Sequence, residues 1–313
     1  MEIVWLLVSL AILYFGAEWL VSGASSFAAR LGVSPLIIGL TIVSMGTSAP
    51  ELVVSVKAAM SGQSALSIGN VLGSNLFNIG IILGISALIY PLAVKRQLLK
   101  FDVPVMVVTS LLFMVLFIDG KITFFEAFIF VFLFVAYMAY LFVTSIRDKS
   151  KGKATDEEET IKLYKHWIID VSLIAIGLVG LVYGSNLLVD NAIIIAQKLG
   201  MSEALIGLTI VAAGTSMPEL ATSVVAAMKK RSDIAIGNVV GSNIFNLLLI
   251  LGVAGLIYPI ETPDINIVDS LFVVGVSALL WFFMKIGTRI RRWQGVIFLG
   301  VYLVYFFIKF GAV

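Results

Sequence analysis

Long apolar stretches alternate with short polar connectors along the whole chain. An apolar run of about 20 residues is the length that crosses a lipid bilayer as an α-helix. Such runs predict ten spans, near residues 3–23, 36–60, 64–91, 103–119, 122–146, 167–189, 204–228, 232–259, 266–286 and 293–311. We therefore predict an all-α integral membrane protein, with five transmembrane helices on each side of one hydrophilic connector at 147–166.

Two polar motifs inside the predicted spans occur twice, 168 positions apart. The segment GLTIVSMGTSAPE at 39–51 returns as GLTIVAAGTSMPE at 207–219. The segment GNVLGSNLFN at 69–78 returns as GNVVGSNIFN at 237–246. Generic hydrophobic helices share their composition, but they do not share polar motifs in a fixed register. The chain therefore contains an internal duplication.

The duplication divides the chain into a first repeat at 1–146 and a second repeat at 167–313. The segments 39–92 and 207–260 are identical at 33 of 54 positions. Because five is an odd number of spans, the second repeat must enter the membrane in the opposite sense from the first. Inverted repeats of this kind are typical of secondary transporters, whose substrate sites lie where the repeats meet.

Composition agrees with a bilayer environment and excludes several kinds of site. Hydrophobic residues make up 60% of the chain and charged residues 13%, which is too apolar for a soluble protein of 313 residues. The chain has no cysteine, so it has no disulfide framework and no thiolate metal site. A single histidine, His166, excludes metal sites built from paired histidines.

The distribution of basic residues predicts the orientation. Connectors on the cytoplasmic side of a membrane carry an excess of lysine and arginine. The connectors after the first, third, fifth, seventh and ninth spans hold 17 of the 21 basic residues. We therefore expect a multi-pass protein of the cell membrane, with both termini outside and the 147–166 connector in the cytoplasm.

The second span carries a polar segment that should break its helix. Pro50 lacks an amide hydrogen and clashes with the preceding turn, which releases backbone carbonyls as ligands. Thr47 and Ser48 add hydroxyls. Glu51 adds a charge that costs about 2.5–3.5 kcal/mol at the centre of a bilayer. The second repeat presents the same arrangement, so a stray proline kink is a poor explanation; its residues are Thr215, Ser216, Pro218 and Glu219.

Polar side chains also follow one face of the third and eighth spans. They are spaced at i, i+4 and i+8 and consist of Asn70, Ser74 and Asn78, with Asn238, Ser242 and Asn246 in the second repeat. Such side chains either join helices by hydrogen bonds or line a site. With the two glutamates they form an oxygen-only ligand set, which suits hard cations such as Ca2+ and Na+. Two carboxylates in a low dielectric repel each other, so protons should compete with Ca2+.

The paired motifs GTSxPE and GSNxFN, with the duplicated ten-span layout, resemble the sodium/calcium exchanger family of the calcium/cation antiporter superfamily. The resemblance covers essentially the whole chain. It implies that spans one and six slide against the remaining spans to alternate access. It also implies backbone ligands at the carbonyls of Ser44 and Ala212. The side chains that it implies as ion ligands are Thr47, Ser48, Glu51, Ser74, Asn78, Thr215, Ser216, Glu219, Ser242 and Asn246.

The chain departs from part of that family at one pair of positions. Some members carry aspartate at one of the positions equivalent to Asn78 and Asn246, whereas both are asparagine here. The site would then hold two carboxylates rather than three. This difference argues against potassium cotransport.

We expect a secondary active antiporter that exchanges Na+ for Ca2+ and extrudes Ca2+. The expected partners are the lipid bilayer, Ca2+ and Na+, with H+ as a further candidate ion and no nucleic acid. No cofactor and no enzymatic activity are expected. Alternative hypotheses are a proton/calcium antiporter of the same superfamily, a passive cation channel, and a membrane-embedded hydrolase that uses Glu51 and Glu219 as acid and base.

Overall fold

A computed structural model of the chain describes residues 2–150, 163–199, 212–262 and 267–310. The described chain is almost entirely helical, as predicted. Its helices are α1 Glu2–Leu31, α2 Pro35–Thr47, α3 Ala49–Met60, α4 Ser64–Ile89, α5 Leu98–Leu116, α6 Phe124–Ser150, α7 Trp167–Lys198, α8 Ala212–Gly214, α9 Met217–Met228, α10 Ser232–Ile257, α11 Ile267–Ile286 and α12 Arg292–Phe310.

The length and composition of the helices confirm a multi-pass membrane fold. Seven helices in the described part of the chain are long and apolar enough to cross a bilayer, namely α1, α4, α5, α6, α7, α10 and α11. Helices α2 and α3 together form an eighth candidate, which bends by 47° where they meet. The predicted span at 204–228 is described only from residue 212 onward.

Helices α1 and α7 pack so closely that their backbones touch. A Cβ atom added at Gly177 would lie 2.7 Å from both the Gly16 carbonyl oxygen and the Leu20 amide nitrogen. A Cβ at Gly16 would lie 3.0 Å from the Gly177 carbonyl oxygen. Small residues at such a contact allow helices to approach closely within a bilayer. The contact therefore requires glycine on both helices.

Ion pairs at both ends of these two helices show that they run antiparallel. Glu2 at the start of α1 contacts Lys198 at the end of α7, at 2.8 Å. Arg30 at the end of α1 contacts Asp170 at the start of α7, at 2.6 Å. Asp170 is fully buried and also accepts a hydrogen bond from Ser26 at 2.7 Å. These contacts fix the register of α1 against α7.

The first span is longer than its apolar run predicts. The run ends at residue 23, whereas α1 continues to Leu31. The added turns carry small and polar residues, including the buried Ser25, Ser26 and Ala28, which pack inside the protein. These small and polar residues lower the local hydropathy, so the apolar run ends before the helix does.

Two short strand pairs connect the repeats. Strand β1 (Leu92–Ala93) pairs antiparallel with β4 (Arg289–Ile290), and β2 (Lys121–Ile122) pairs antiparallel with β3 (Ile260–Glu261). The 168-residue offset relates β1 to β3 and β2 to β4. Each pair therefore joins one strand from each repeat. Two-residue strands leave no alternating pattern, and the sequence did not predict them.

Two aspartate–tyrosine pairs occupy comparable places in the repeats. The Tyr137 hydroxyl donates to Asp102 at 3.1 Å and so joins α6 to α5. The Tyr305 hydroxyl donates to Asp269 at 3.0 Å and so joins α12 to α11. In the second repeat, Lys309 also contacts Asp269 at 2.6 Å. The residue 168 positions before Lys309 is a leucine, so this cation is specific to the second repeat.

Candidate ion-binding site

Both proline segments break their helices, as predicted. Ser48 separates α2 from α3, in which Pro50 is the second residue. Ser216 precedes α9, in which Pro218 is the second residue. The breaks place Glu51 and Glu219 in the first turns of α3 and α9. A helix N-terminus favours negative charge, which helps to hold a carboxylate inside the protein.

Each glutamate is bound by a serine from the other repeat. The Ser48 hydroxyl donates to Glu219 Oε1 at 2.7 Å, and the Ser216 hydroxyl donates to Glu51 Oε1 at 3.1 Å. Both glutamates are buried, with at most 1% of the residue surface exposed. The two broken helices therefore meet and exchange hydrogen bonds at the centre of the protein.

The same two serines reach the polar faces of α4 and α10. Ser48 contacts Ser242 at 3.0 Å between their hydroxyl oxygens, and Ser216 contacts Ser74 at 3.1 Å. All four serines are buried. The helical spacing that placed Ser74 and Ser242 beside the glutamates is thus reproduced by the structure.

The two threonines are held by asparagines one turn away from the serines. Thr47 donates to Asn238 Oδ1 at 3.1 Å, and Thr215 donates to Asn70 Oδ1 at 3.4 Å. The amide of Asn238 in turn donates to the Glu219 backbone carbonyl at 3.3 Å. The two threonine contacts cross between the repeats, and together with the Asn238 amide contact they make Asn70 and Asn238 supports of the broken segments.

The predicted backbone ligands lie beside the breaks. The Ser44 carbonyl accepts a hydrogen bond from the Ser48 amide at 3.0 Å, and its oxygen lies 3.3 Å from the Thr47 hydroxyl oxygen. Ala212 begins the short helix α8 at the equivalent place in the second repeat. In the structure, the Ser44 oxygen therefore takes part in the turn that leads to Ser48.

Four buried oxygens at this centre have no hydrogen-bond partner among the residues that the structure describes. They belong to both glutamates and to the asparagines at the ends of the two GSNxFN motifs, and they are Glu51 Oε2, Glu219 Oε2, Asn78 Oδ1 and Asn246 Oδ1. Buried polar atoms are normally satisfied. Ionised carboxylate and amide oxygens only accept, so either a bound cation or a donor such as water would satisfy them. This donor set fits Ca2+ or Na+.

The helices α4 and α10 change their winding at the same two asparagines. A π-helical segment covers Asn78–Leu83 in α4, and another covers Asn246–Ile250 in α10. Such wide turns are uncommon and occur frequently at functional sites. Their start at both asparagines supports a special role for these positions.

Polar contacts that join α1 and α7 to the residues on either side of α9 do not follow from the alignment of the two repeats. Pro218 has no amide hydrogen to offer to the Gly214 carbonyl, and Ser185 of α7 donates to that carbonyl at 2.6 Å. Lys229, beyond α9, contacts Glu18 of α1 at 3.2 Å and Ser22 at 2.9 Å. The repeat offset aligns Ser185 with an alanine and Lys229 with a serine, so matching the repeats could not reveal either contact.

The structure brings the predicted residues of both repeats to one buried centre. Their role as ion ligands stays a prediction, which rests on the four unpartnered oxygens and on the hydroxyls beside them. In the described residues, no group of three His, Cys, Asp or Glu side chains is placed to hold a metal ion. An ion bound at this centre would therefore need hydroxyl and amide oxygens in addition to the two carboxylates.

Comparison with known proteins identifies the family. The family described as sodium/calcium exchanger protein matches residues 1–143 and 169–311. The putative antiporter CaxA of Alkalimonas amylolytica is 38% identical over 322 residues, which cover 99% of this chain and 98% of the relative. The sodium/calcium exchanger MaX1 of Methanosarcina acetivorans is 34% identical, with 97% of both chains covered.

A solved structure agrees with this assignment. The sodium-calcium exchanger NCX_Mj, soaked with 10 mM Na+ and 10 mM Sr2+, superposes with a TM-score of 0.84 and 34% identity. The match covers 97% of this chain and 96% of that chain. The chain therefore belongs to the sodium/calcium exchanger family, a family of membrane transporters rather than enzymes.

Proposed function

We propose that this protein exchanges Na+ for Ca2+ across the cell membrane and extrudes Ca2+. The observation that carries the proposal is the set of four buried acceptor oxygens without partners, two of them on carboxylates. Hard cations take oxygen ligands of this kind. One Ca2+ or two Na+ would neutralise Glu51 and Glu219, so the two ions can replace each other at one centre.

The side chains of the two GTSxPE and GSNxFN motifs would bind the ions. Glu51 and Glu219 supply the charge, and Asn78 and Asn246 supply amide oxygens. A serine or threonine hydroxyl that donates one hydrogen bond keeps lone pairs for a cation. The backbone carbonyls of Ser44 and Ala212 would complete the set, together with the hydroxyls of Thr47, Ser48, Ser74, Thr215, Ser216 and Ser242.

We further propose that the chain forms ten spans in two inverted repeats, 1–146 and 167–313, joined by a cytoplasmic connector. The two spans beyond the eight candidates would be α9 with the segment before it, and α12. The strand pairs support this layout, because β1 and β4 follow the third and ninth spans, while β2 and β3 follow the fourth and eighth. Each pair thus joins connectors that the distribution of basic residues assigns to the same face.

Alternating access would come from movement of α1 and α7 as one unit. Their glycine contact and their ion pairs at both ends support a rigid pair. Single polar contacts, such as those of Ser185 and Lys229, connect this pair to the broken helices of the second repeat. Breaking and remaking such contacts would let the pair move past the site and expose it to each side in turn.

Ion flux in reconstituted vesicles tests the function. We expect vesicles loaded with Na+ and diluted into Na+-free buffer to take up Ca2+, because outward Na+ movement drives the exchange. A pH gradient without Na+ should drive little uptake. Uptake that follows the pH gradient instead would indicate a proton/calcium antiporter, and uptake without any counter-ion gradient would indicate a channel.

Labelling of two equivalent turns tests the inverted topology. The exposed residues Gln63 and Lys230 lie in the turns before α4 and α10. An odd number of spans per repeat should place Gln63 outside the cell and Lys230 inside. Single cysteines at these positions should therefore react with an impermeant thiol reagent from opposite sides, with the cysteine-free parent as the blank. Labelling of both from the same side in intact cells would exclude five spans per repeat.

A further inference from the structure

Each site asparagine is held by an asparagine from the other repeat. Asn78 donates its amide hydrogen to Asn243 Oδ1 at 2.9 Å, and Asn246 donates to Asn75 Oδ1 at 3.0 Å. Asn75 and Asn243 are buried, with at most 1% of the residue surface exposed. They lie on α4 and α10 next to Ser74 and Ser242, yet their contacts point across to the opposite helix.

Two backbone carbonyls fix the orientation of this network. Asn75 Nδ2 donates to the Asn243 carbonyl oxygen at 3.2 Å, and Asn243 Nδ2 donates to the Asn75 carbonyl oxygen at 3.3 Å. A backbone carbonyl can only accept, so the NH2 group of each side chain must face it. The Oδ1 atoms of Asn75 and Asn243 are then left to face the site asparagines.

The orientation of Asn75 and Asn243 in turn fixes that of the two site asparagines. The Oδ1 atoms of Asn75 and Asn243 can only accept, so Asn246 and Asn78 must turn their NH2 groups toward them. The oxygens of Asn246 and Asn78 then point away from the network, and these are two of the four buried oxygens without partners. A chain of hydrogen bonds that begins at a backbone carbonyl thus ends at a free amide oxygen.

We propose that Asn75 and Asn243 are positioning residues that hold the Asn246 and Asn78 amides with their oxygens toward the transported cation. The inference rests on the proposed function of the site. If an amide rotated by half a turn, it would present its NH2 group to the cation and repel it. Supporting partners of this kind typically change metal affinity by about 10–100-fold when they are removed.

If Asn75 and Asn243 served only to pack α4 against α10, their contacts with the two site asparagines would be unexplained. Polar side chains commonly join helices within membranes. The reciprocal contact between Asn75 and Asn243 would suffice for that purpose. It would not require that both remaining Oδ1 atoms bind the NH2 groups of the two site asparagines.

Double-mutant cycles on Ca2+ binding to the purified full chain distinguish the two roles. We expect Asn75→Leu to weaken Ca2+ binding about 10–100-fold. The effect of Asn75→Leu should be strongly non-additive with that of Asn246→Ala, because Asn75 has no amide left to orient once the Asn246 side chain is removed. With Asn78→Ala the effects should add, although Asn78 lies only one turn from Asn75 on the same helix. Additivity with Asn246→Ala, or unchanged Ca2+ affinity in Asn75→Leu, would overturn the inference.

Controls separate this result from folding and from the identity of the site. Asn191→Leu removes a buried amide whose hydrogen bond stays within its own helix, to the Leu187 carbonyl, and Ca2+ affinity should be unchanged. If Asn75→Leu fails to fold, Asn75→Ala and the mirror cycle of Asn243 with Asn78 test the same claim. If Glu51→Gln abolishes Ca2+ binding while neither cycle shows coupling, the positioning role is wrong and the ion site stands. If Glu51→Gln binds Ca2+ normally, the site itself is wrong.

Discussion

Replacing Glu51 or Glu219 with glutamine should abolish Ca2+ transport and leave the protein folded. Each change removes one of the two carboxylates of the proposed ion site, and it places an NH2 group where a carboxylate oxygen lacks a partner among the described residues. In a site of low dielectric, losing one of two negative charges greatly weakens the attraction for a divalent cation. Folding should survive, because burying an amide costs less than burying an unpaired carboxylate.

Na+-driven Ca2+ uptake into vesicles measures the effect of these two changes, with protein amount and thermal unfolding as checks on folding. Glu261→Gln is a matched control, because Glu261 is exposed and pairs with Lys121 on a connector. It should transport Ca2+ at a normal rate. Near-normal uptake in both Glu51→Gln and Glu219→Gln would exclude the proposed site.

Replacing Gly177 with alanine should destabilise the protein and impair transport. The new Cβ atom would meet backbone atoms of Gly16 and Leu20 at 2.7 Å, and a backbone cannot move aside as a flexible side chain can. Overpacking of this kind costs about 1–3 kcal/mol, and a leucine at the same position should cost more. The separation of α1 from α7 would also disturb the pair that we propose to move during exchange.

The midpoint of thermal unfolding in detergent measures this effect, and vesicle uptake measures its consequence for transport. Gly300→Ala is the matched control, because an added Cβ at Gly300 meets no atom within 4 Å in the described part of the chain apart from its own helix backbone. It should leave uptake unchanged and should not lower the unfolding midpoint, because alanine favours a helix more than glycine does. Equal unfolding midpoints for Gly177→Ala and Gly300→Ala would show that the close contact between α1 and α7 does not limit stability.

Sequence reasoning predicted the helical membrane fold, the family and the residues that meet at the centre. It succeeded because apolar length, helix-breaking prolines and i, i+4 spacing are local properties of the chain. The duplication then added long-range information, since the two copies of each motif had to meet at the interface of the repeats. Ser48 and Glu219 illustrate this: they are distant in sequence but bonded in the structure.

Other features depend on contacts that no local pattern records. The ends of α1 are set by burial against α7 through Asp170 and Arg30, which look like interfacial charges in the sequence. The orientation of the Asn78 amide depends on Asn243 in the other repeat. Ser185 binds a carbonyl that Pro218 leaves free, and its counterpart in the first repeat is an alanine. An alignment of the two repeats therefore does not reveal contacts that only one repeat makes.

Those mismatched positions have an energetic consequence if the chain alternates access through the inverted repeats that we propose. If the two repeats were identical, exchanging their conformations would convert an inward-open molecule into an outward-open one of equal free energy. Any preference for one state must then come from residues without a counterpart, because only they contribute differently to the two states. In this chain, Lys229 with Glu18, Ser185 and Lys309 are such residues. The duplicated motifs would thus determine which ion is transported. Unmatched side chains such as these would determine whether the ion-free protein prefers the inward-open or the outward-open state.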